Sequence, residues 1–200
     1  MNKLNLLIII ISFLSFIQPG KSQNLFMEIG GGIGNVVAEK HTLGKAEIYF
    51  NLLKSFKLGQ VGLDFSTGGN FIPGERSIQE GTTEILSPND ARFSSISFLY
   101  RLPVKNYFFT EARLGYSSLS YFVHTDNETR ISQQNFTYGI GIGVKLVSNF
   151  SFSLRYQHFG VTPEFEDVKD MGTVSLNSEP LRLILLRMSY QFSLDKLFKK

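Results

Sequence analysis

The sequence predicts an all-β chain, an eight-stranded antiparallel up-and-down transmembrane β-barrel, and three observations carry that prediction. Apolar residues alternate with small or charged ones, with a period of two, along most of the chain. Glycines fall at alternate positions on the non-apolar face. The segments joining the alternating runs are short and long by turns.

The run from Phe136 to Tyr156 shows the first two features most plainly. One face carries Phe136, Tyr138, Ile140, Ile142, Val144 and Leu146, and the other Thr137, Gly139, Gly141, Gly143 and Lys145. After Ser148-Asn149 the pattern restarts, with Phe150, Phe152, Leu154 and Tyr156 opposite Ser151, Ser153, Arg155 and Gln157. A period of two means strands, and so short a break means a hairpin. Each strand approaches the roughly 9–11 residues that crossing a bilayer requires. In a soluble barrel the glycine face would meet water, where Thr, Lys or Glu would serve the strand better. In a narrow transmembrane barrel the glycines have a purpose, because the lumen has little room for side chains. Ile140, Phe152 and Leu186 are therefore expected to face lipid, with Arg155 inside.

The start of the chain fits export. Met1-Asn2-Lys3 is a short basic opening, and Leu4 to Ile17 is an almost unbroken apolar run. Gly20 and Ser22 place a cleavage site before Gln23, which completes the pattern of a secretory signal peptide. The apolar run is shorter than the ~20 residues of a spanning helix. The absence of cysteine argues against a lipid-anchored lipoprotein and a disulfide framework. The expected organisation is a signal peptide over 1–22, a barrel domain over 23–194 and a short basic tail over 195–200. Without 1–22 the formal charge falls from +3 to +1, because Lys3 and Lys21 are lost. No basic-aromatic cluster remains, so no nucleic acid is expected as a partner.

In order, the expected strands cover 25–33, 45–53, a third ending near 68, 92–102, 107–118, the two of the 136–156 hairpin, and 181–194. Met27 and Ile29 face out in the first, with Glu28, Gly30 and Gly32 in. Ile48 and Phe50 face out in the second, with Glu47, Tyr49 and Asn51 in. Leu63 and Phe65 oppose Gly62 and Asp64 in the third; Phe98 and Tyr100 oppose Ser97 and Arg101 in the fourth. The fifth sets Ala112 and Leu114 against Glu111 and Arg113, and the last sets Leu186 and Met188 against Arg187 and Ser189. Turns after the second, fourth and sixth strands are short, near 54–57, 103–106 and 148–149. Links after the first, third, fifth and seventh are long, and the third spans about 69–91. Outer-membrane barrels have short periplasmic turns and long outer loops. The long links hold many acids, among them Glu75, Glu80, Glu84, Asp90, Glu164, Asp167 and Asp170, and are expected to be solvated.

The inward register collects Glu28, Glu47, Asp64 and Glu111 with Arg101, Arg113, Lys145, Arg155 and Arg187. Toward lipid each base would cost roughly 2–4 kcal/mol at the midplane. Inside a narrow barrel they pair across strands, and this structural ion network is expected to fill the lumen as a polar plug. Eight strands leave an interior only just filled by side chains, so no open pore is expected.

The signal peptide, the alternating strands, the run Glu28-Ile29-Gly30-Gly31-Gly32-Ile33-Gly34 and the aromatic ending Arg187-Met188-Ser189-Tyr190-Gln191-Phe192 carry a resemblance. The chain resembles the small outer-membrane β-barrel proteins of Gram-negative bacteria, including the membrane domain of outer-membrane protein A and porin-family barrels. The resemblance implies residence in the cell outer membrane. It implies contact with outer-membrane lipid and lipopolysaccharide, assembly by the barrel-insertion machinery, and a monomer. Such chains often end on the aromatic residue read during insertion; here Asp195 to Lys200 follow, so either Phe192 or Phe198 fills that role.

Two barrel enzyme families resemble the same architecture. Lipid A deacylases carry His-x-Ser late in the barrel, whereas this chain has His158-Phe159-Gly160, without the nucleophilic hydroxyl. Palmitoyltransferase barrels need His, Asp and Ser at the outer rim, and Ser120, His124 and Asp126 are the nearest match. No catalytic residue, cofactor or metal is assigned. His41, His124 and His158 lack metal-site spacing, and no helix follows the glycine runs to cradle a phosphate. The expected function is a structural or surface-interaction role through the outer loops. A lipid A-modifying enzyme around His158 and a narrow solute channel are the alternatives.

Overall fold

The computed structural model describes residues 25–37, 44–70, 85–86, 91–105, 107–123, 129–146, 149–160, 165–168, 172–176 and 180–194. The expected signal peptide and basic tail lie outside these residues. The described elements are β1 (Leu25–Val36), β2 (Gly44–Phe56), β3 (Gly59–Asn70), β4 (Ile85–Leu86), β5 (Arg92–Lys105) and β6 (Phe108–Val123). They continue with β7 (Thr129–Lys145), β8 (Phe150–Phe159), β9 (Phe165–Val168), β10 (Gly172–Leu176) and β11 (Leu181–Ser193). Eight of them close into a barrel in the order β1-β11-β8-β7-β6-β5-β3-β2. Every neighbouring pair is antiparallel, and β1 meets β11 from Phe26↔Ser193 to Val36↔Leu183. Closure leaves no unpaired edge, which a lipid-exposed sheet cannot tolerate.

Following paired residues once round the wall fixes the barrel's shape. Phe26 pairs with Leu53, Leu53 with Gly62, Gly62 with Leu99 and Leu99 with Arg113. Arg113 then pairs with Gly139, Gly139 with Gln157, Gln157 with Leu183 and Leu183 with Val36. The circuit returns to β1 ten residues further on, since 36 − 26 = 10. A shear of ten on eight strands corresponds to a tilt of about 40° and a bore just wide enough for side chains.

The side-chain register decides which surface meets lipid. Ile140, Leu186 and Phe152 are 64%, 52% and 37% exposed, whereas Arg155 is 1% exposed. The apolar face therefore points outward and the ions inward, as the sequence predicts. Aromatic pairs mark both ends of this outer surface. Tyr116 meets Phe136, and Tyr138 stacks on His158, toward the long links. Phe150, Tyr190 and Phe192 cluster toward the short turns. Such girdles flank an apolar band roughly 25 Å tall in barrels of this kind.

Several boundaries differ from the sequence expectation. β2 continues to Phe56 and pairs it with Gly59, so the turn is Lys57-Leu58 rather than 54–57. β5 runs through Pro103 to Lys105, with a register shift between those two residues. The proline removes one ladder donor, and the shift absorbs the loss. β6 and β7 stay paired as far as Val123↔Thr129, which narrows an expected long link to 124–128. The two longest links are not wholly irregular either, since β4, β9 and β10 from them form a small three-stranded sheet.

Candidate functional site

The lumen is built by the same period of two that makes the outer wall greasy. Glu28 lies on β1, Glu47 on β2, Asp64 on β3, Arg101 on β5, Glu111 and Arg113 on β6, Arg155 on β8, and Arg187 on β11. All eight are almost fully buried. They form one connected chain of ion pairs. Arg101 reaches Glu28 at 2.7 Å and Glu111 at 3.2 Å. Arg113 joins Glu111, at 2.9 Å, to Asp64. Asp64 then contacts Arg155 at 3.7 Å and Arg187 at 3.5 Å. Both arginines end on Glu47, at 2.6 Å and 2.7 Å.

These contacts cross the lumen rather than run along its wall. Arg155 on β8 and Glu47 on β2 are separated by β11 and β1 in the barrel order, and Arg101 on β5 reaches Glu28 on β1. Four carboxylates meet four guanidiniums, so the network carries no net charge. Asn51 donates to Glu28 at 2.9 Å and adds one neutral member. Two aromatic rings complete the packing: the Arg187 guanidinium lies 3.2 Å from the Tyr49 ring centroid, and that of Arg101 4.4 Å from Phe109. Planar guanidiniums suit both tasks, pairing in their plane and stacking on a ring face.

The glycines are where these side chains lie. A Cβ on Gly30 would stand 2.5 Å from Tyr49 Cζ, and one on Gly143 would run into the Phe109 ring. One on Gly32 would meet Glu47 Oε1 at 2.8 Å, and one on Gly141 would meet Glu111 Cγ at 3.0 Å. β7 gives no ion to the network; its glycines leave space for what β6 and β8 contribute.

Lys145, expected in the network, is not in it. It lies half-buried at the short-turn end of β7, and among the described residues it makes no ion pair. Sequence reading also missed inward groups. Lys45 is fully buried and donates to the Ala91 carbonyl at 3.0 Å; its parity with Glu47 was the available signal. Toward the long-link end, Val36, Phe93, Leu119, Phe159, Leu181 and Leu183 are buried and cap the ions. Phe93 of β5 and Phe159 of β8 touch across the lumen, with ring centroids 5.0 Å apart.

His158 faces outward, stacked on Tyr138 at 4.6 Å between ring centroids and paired across strands with Arg182. Gly160 follows where a hydrolase would carry its serine, and a Cβ there would stand 2.9 Å from the Phe136 carbonyl oxygen. His124 and Asp126 of the second enzyme motif, together with His41 and Glu164, lie outside the described residues. Among the described residues no group of three or more His, Cys, Asp or Glu is arranged to hold a metal.

A family model described as the outer membrane protein beta-barrel domain matches residues 8–177. The chain belongs to that family. The outer-membrane barrel is therefore located in the outer membrane. Among solved structures it resembles the N-terminal β-barrel domain of Pseudomonas aeruginosa OprF, with a TM-score of 0.54 at 12% identity, covering 86% of this chain and 100% of that one. It also resembles Ail, the attachment invasion locus protein of Yersinia pestis, crystallised with the heparin analogue sucrose octasulfate. That match has a TM-score of 0.50 at 13% identity and covers 86% of this chain and 99% of Ail. Neisserial surface protein A matches with a TM-score of 0.50 at 11% identity, covering 86% of this chain and all of that one. At such identities the likeness is one of fold. No curated protein matches the chain.

Proposed function

We propose that this outer-membrane barrel is a monomeric, non-conducting and non-enzymatic protein that acts through its outer surface, in a structural or surface-interaction role. The observation that carries the reading is the neutral eight-residue ion network beneath a buried apolar cap. A solute would have to break several buried ion pairs and displace Phe93 and Phe159 to pass. Breaking one such pair by removing a partner costs roughly 3–5 kcal/mol. The outer side, by contrast, carries the long links and their small sheet. Residues 1–22 act as the cleaved signal peptide in this reading, and the insertion machinery, lipid and lipopolysaccharide are its partners. Nucleic acid is not among them.

Conductance across planar bilayers tests the reading directly. The wild-type barrel is expected to give no discrete channel steps, whereas defined, solute-selective steps would overturn it. Acyl release from lipid A in vesicles, compared between wild type and His158→Ala, tests the enzyme alternative. Neither protein is expected to release product, because no hydroxyl stands beside His158 at Gly160.

A further inference from the structure

We propose that the short-turn mouth of the lumen binds a small organic carboxylate, held by Lys145. The lumen contains two lysines outside its ion network: Lys45, toward the long-link end, donates to the Ala91 carbonyl, and Lys145 lies at the short-turn mouth. Four arginines are matched by four acids, and Lys145 stands outside that balance. The charged groups that act on it are Arg101 and Glu28. Both are already committed: Glu28 accepts from Arg101 at 2.7 Å and from Asn51 at 2.9 Å. Lys145 therefore faces a like charge and a carboxylate whose oxygens are in use. A half-buried cation in that position favours an anion brought from outside.

The same place has room and donors for one. A cavity of about 230 Å³ opens there, lined by Ser55, Gln60, Arg101, Pro103, Phe109 and Lys145 among others. Lys145, a cation on this cavity that makes no ion pair among the described residues, selects an oxyanion. Pro103, Tyr107 and Phe109 supply apolar wall, which favours a monoanion carrying a hydrocarbon body over a strongly hydrated phosphate. The volume falls below the usual range of roughly 300–1,000 Å³ for drug-sized ligands, so the body is a single ring or a short chain. Such a ligand enters from the periplasm, because the mouth lies between the short turns.

The test uses the full chain folded in detergent micelles, titrated with benzoate and, separately, inorganic phosphate, each against chloride at matched ionic strength. The thermal midpoint is expected to rise saturably with benzoate and not with phosphate. Lys145→Gln should abolish the benzoate response and Lys145→Arg should retain it. Lys105→Gln, at an exposed position at the same end, should leave it unchanged. A saturable response equally large in Lys145→Gln, or no saturable response in the wild type and Lys145→Arg, would overturn the site. A phosphate response matching that of benzoate would overturn the assignment of an organic carboxylate.

Discussion

Arg187 and Arg155 show how much depends on single side chains in this lumen. Each is buried, and each bridges Glu47 and Asp64 across the bore. Reversal of either charge leaves two carboxylates facing a third in a space with little water. Arg155→Glu and Arg187→Glu are each expected to lower stability by roughly 3–5 kcal/mol, read from urea unfolding in lipid vesicles. An unfolding curve unchanged by either substitution would refute the plug. Lys145→Gln removes a charge outside the network and is expected to shift the same curve by less than about 1 kcal/mol. The identities of the inward ions were legible in the sequence because parity alone sorts them. Their partners were not, because pairing depends on the shear, which strand patterns do not encode. Nothing within β2 says that Glu47 will meet Arg155, which lies 108 residues away.

At the scale of the strand, glycine and aromatic positions are complementary. Tyr49 of β2 lies over Gly30 of β1, and Phe109 of β6 over Gly143 of β7. A methyl group at either glycine displaces a ring that also stacks on an arginine of the network. Gly30→Ala and Gly143→Ala are therefore each expected to destabilise the barrel by roughly 1–3 kcal/mol, measured by the same unfolding assay. Gly59 differs in kind, since its φ of 149° after the Lys57-Leu58 turn is a conformation that side chains disfavour. The small-residue face of β7 could be read in advance as a sign of crowding. The apolar cap could not, because Leu119 and Phe159 fall beyond the expected strand ends, and an inward Leu183 looks like any leucine of an apolar strand.

The whole barrel combines a neutral polar centre, an apolar cap above it and a wall exposed to lipid. Loss of the cap alone should leave the ions in place. Phe93→Ala with Phe159→Ala is expected to lower stability by several kcal/mol, given roughly 3–5 kcal/mol for each buried ring, yet still give no channel steps. Discrete steps in that double variant would assign the seal to the cap instead of the ions. The fold class, the orientation and the closed wall followed from periodicity. The extended β6–β7 hairpin and the sheet of β4, β9 and β10 did not: β7 opens on the polar stretch Ser132 to Asn135, and strands of two, four and five residues are too short for a period to mark them.

The seam between β1 and β11 has a consequence for how the protein assembles. Arg187, on the last strand, meets Glu47 of the second only when the first and last strands of the wall have joined. Until then Arg187 and Glu47 lack their contact, and Arg155 reaches Glu47 only across that same seam, whereas Arg101, Glu111, Arg113 and Asp64 pair among β3, β5 and β6. Insertion should therefore proceed as one concerted event, and a chain truncated before β11 should remain at the membrane surface instead of lodging within it.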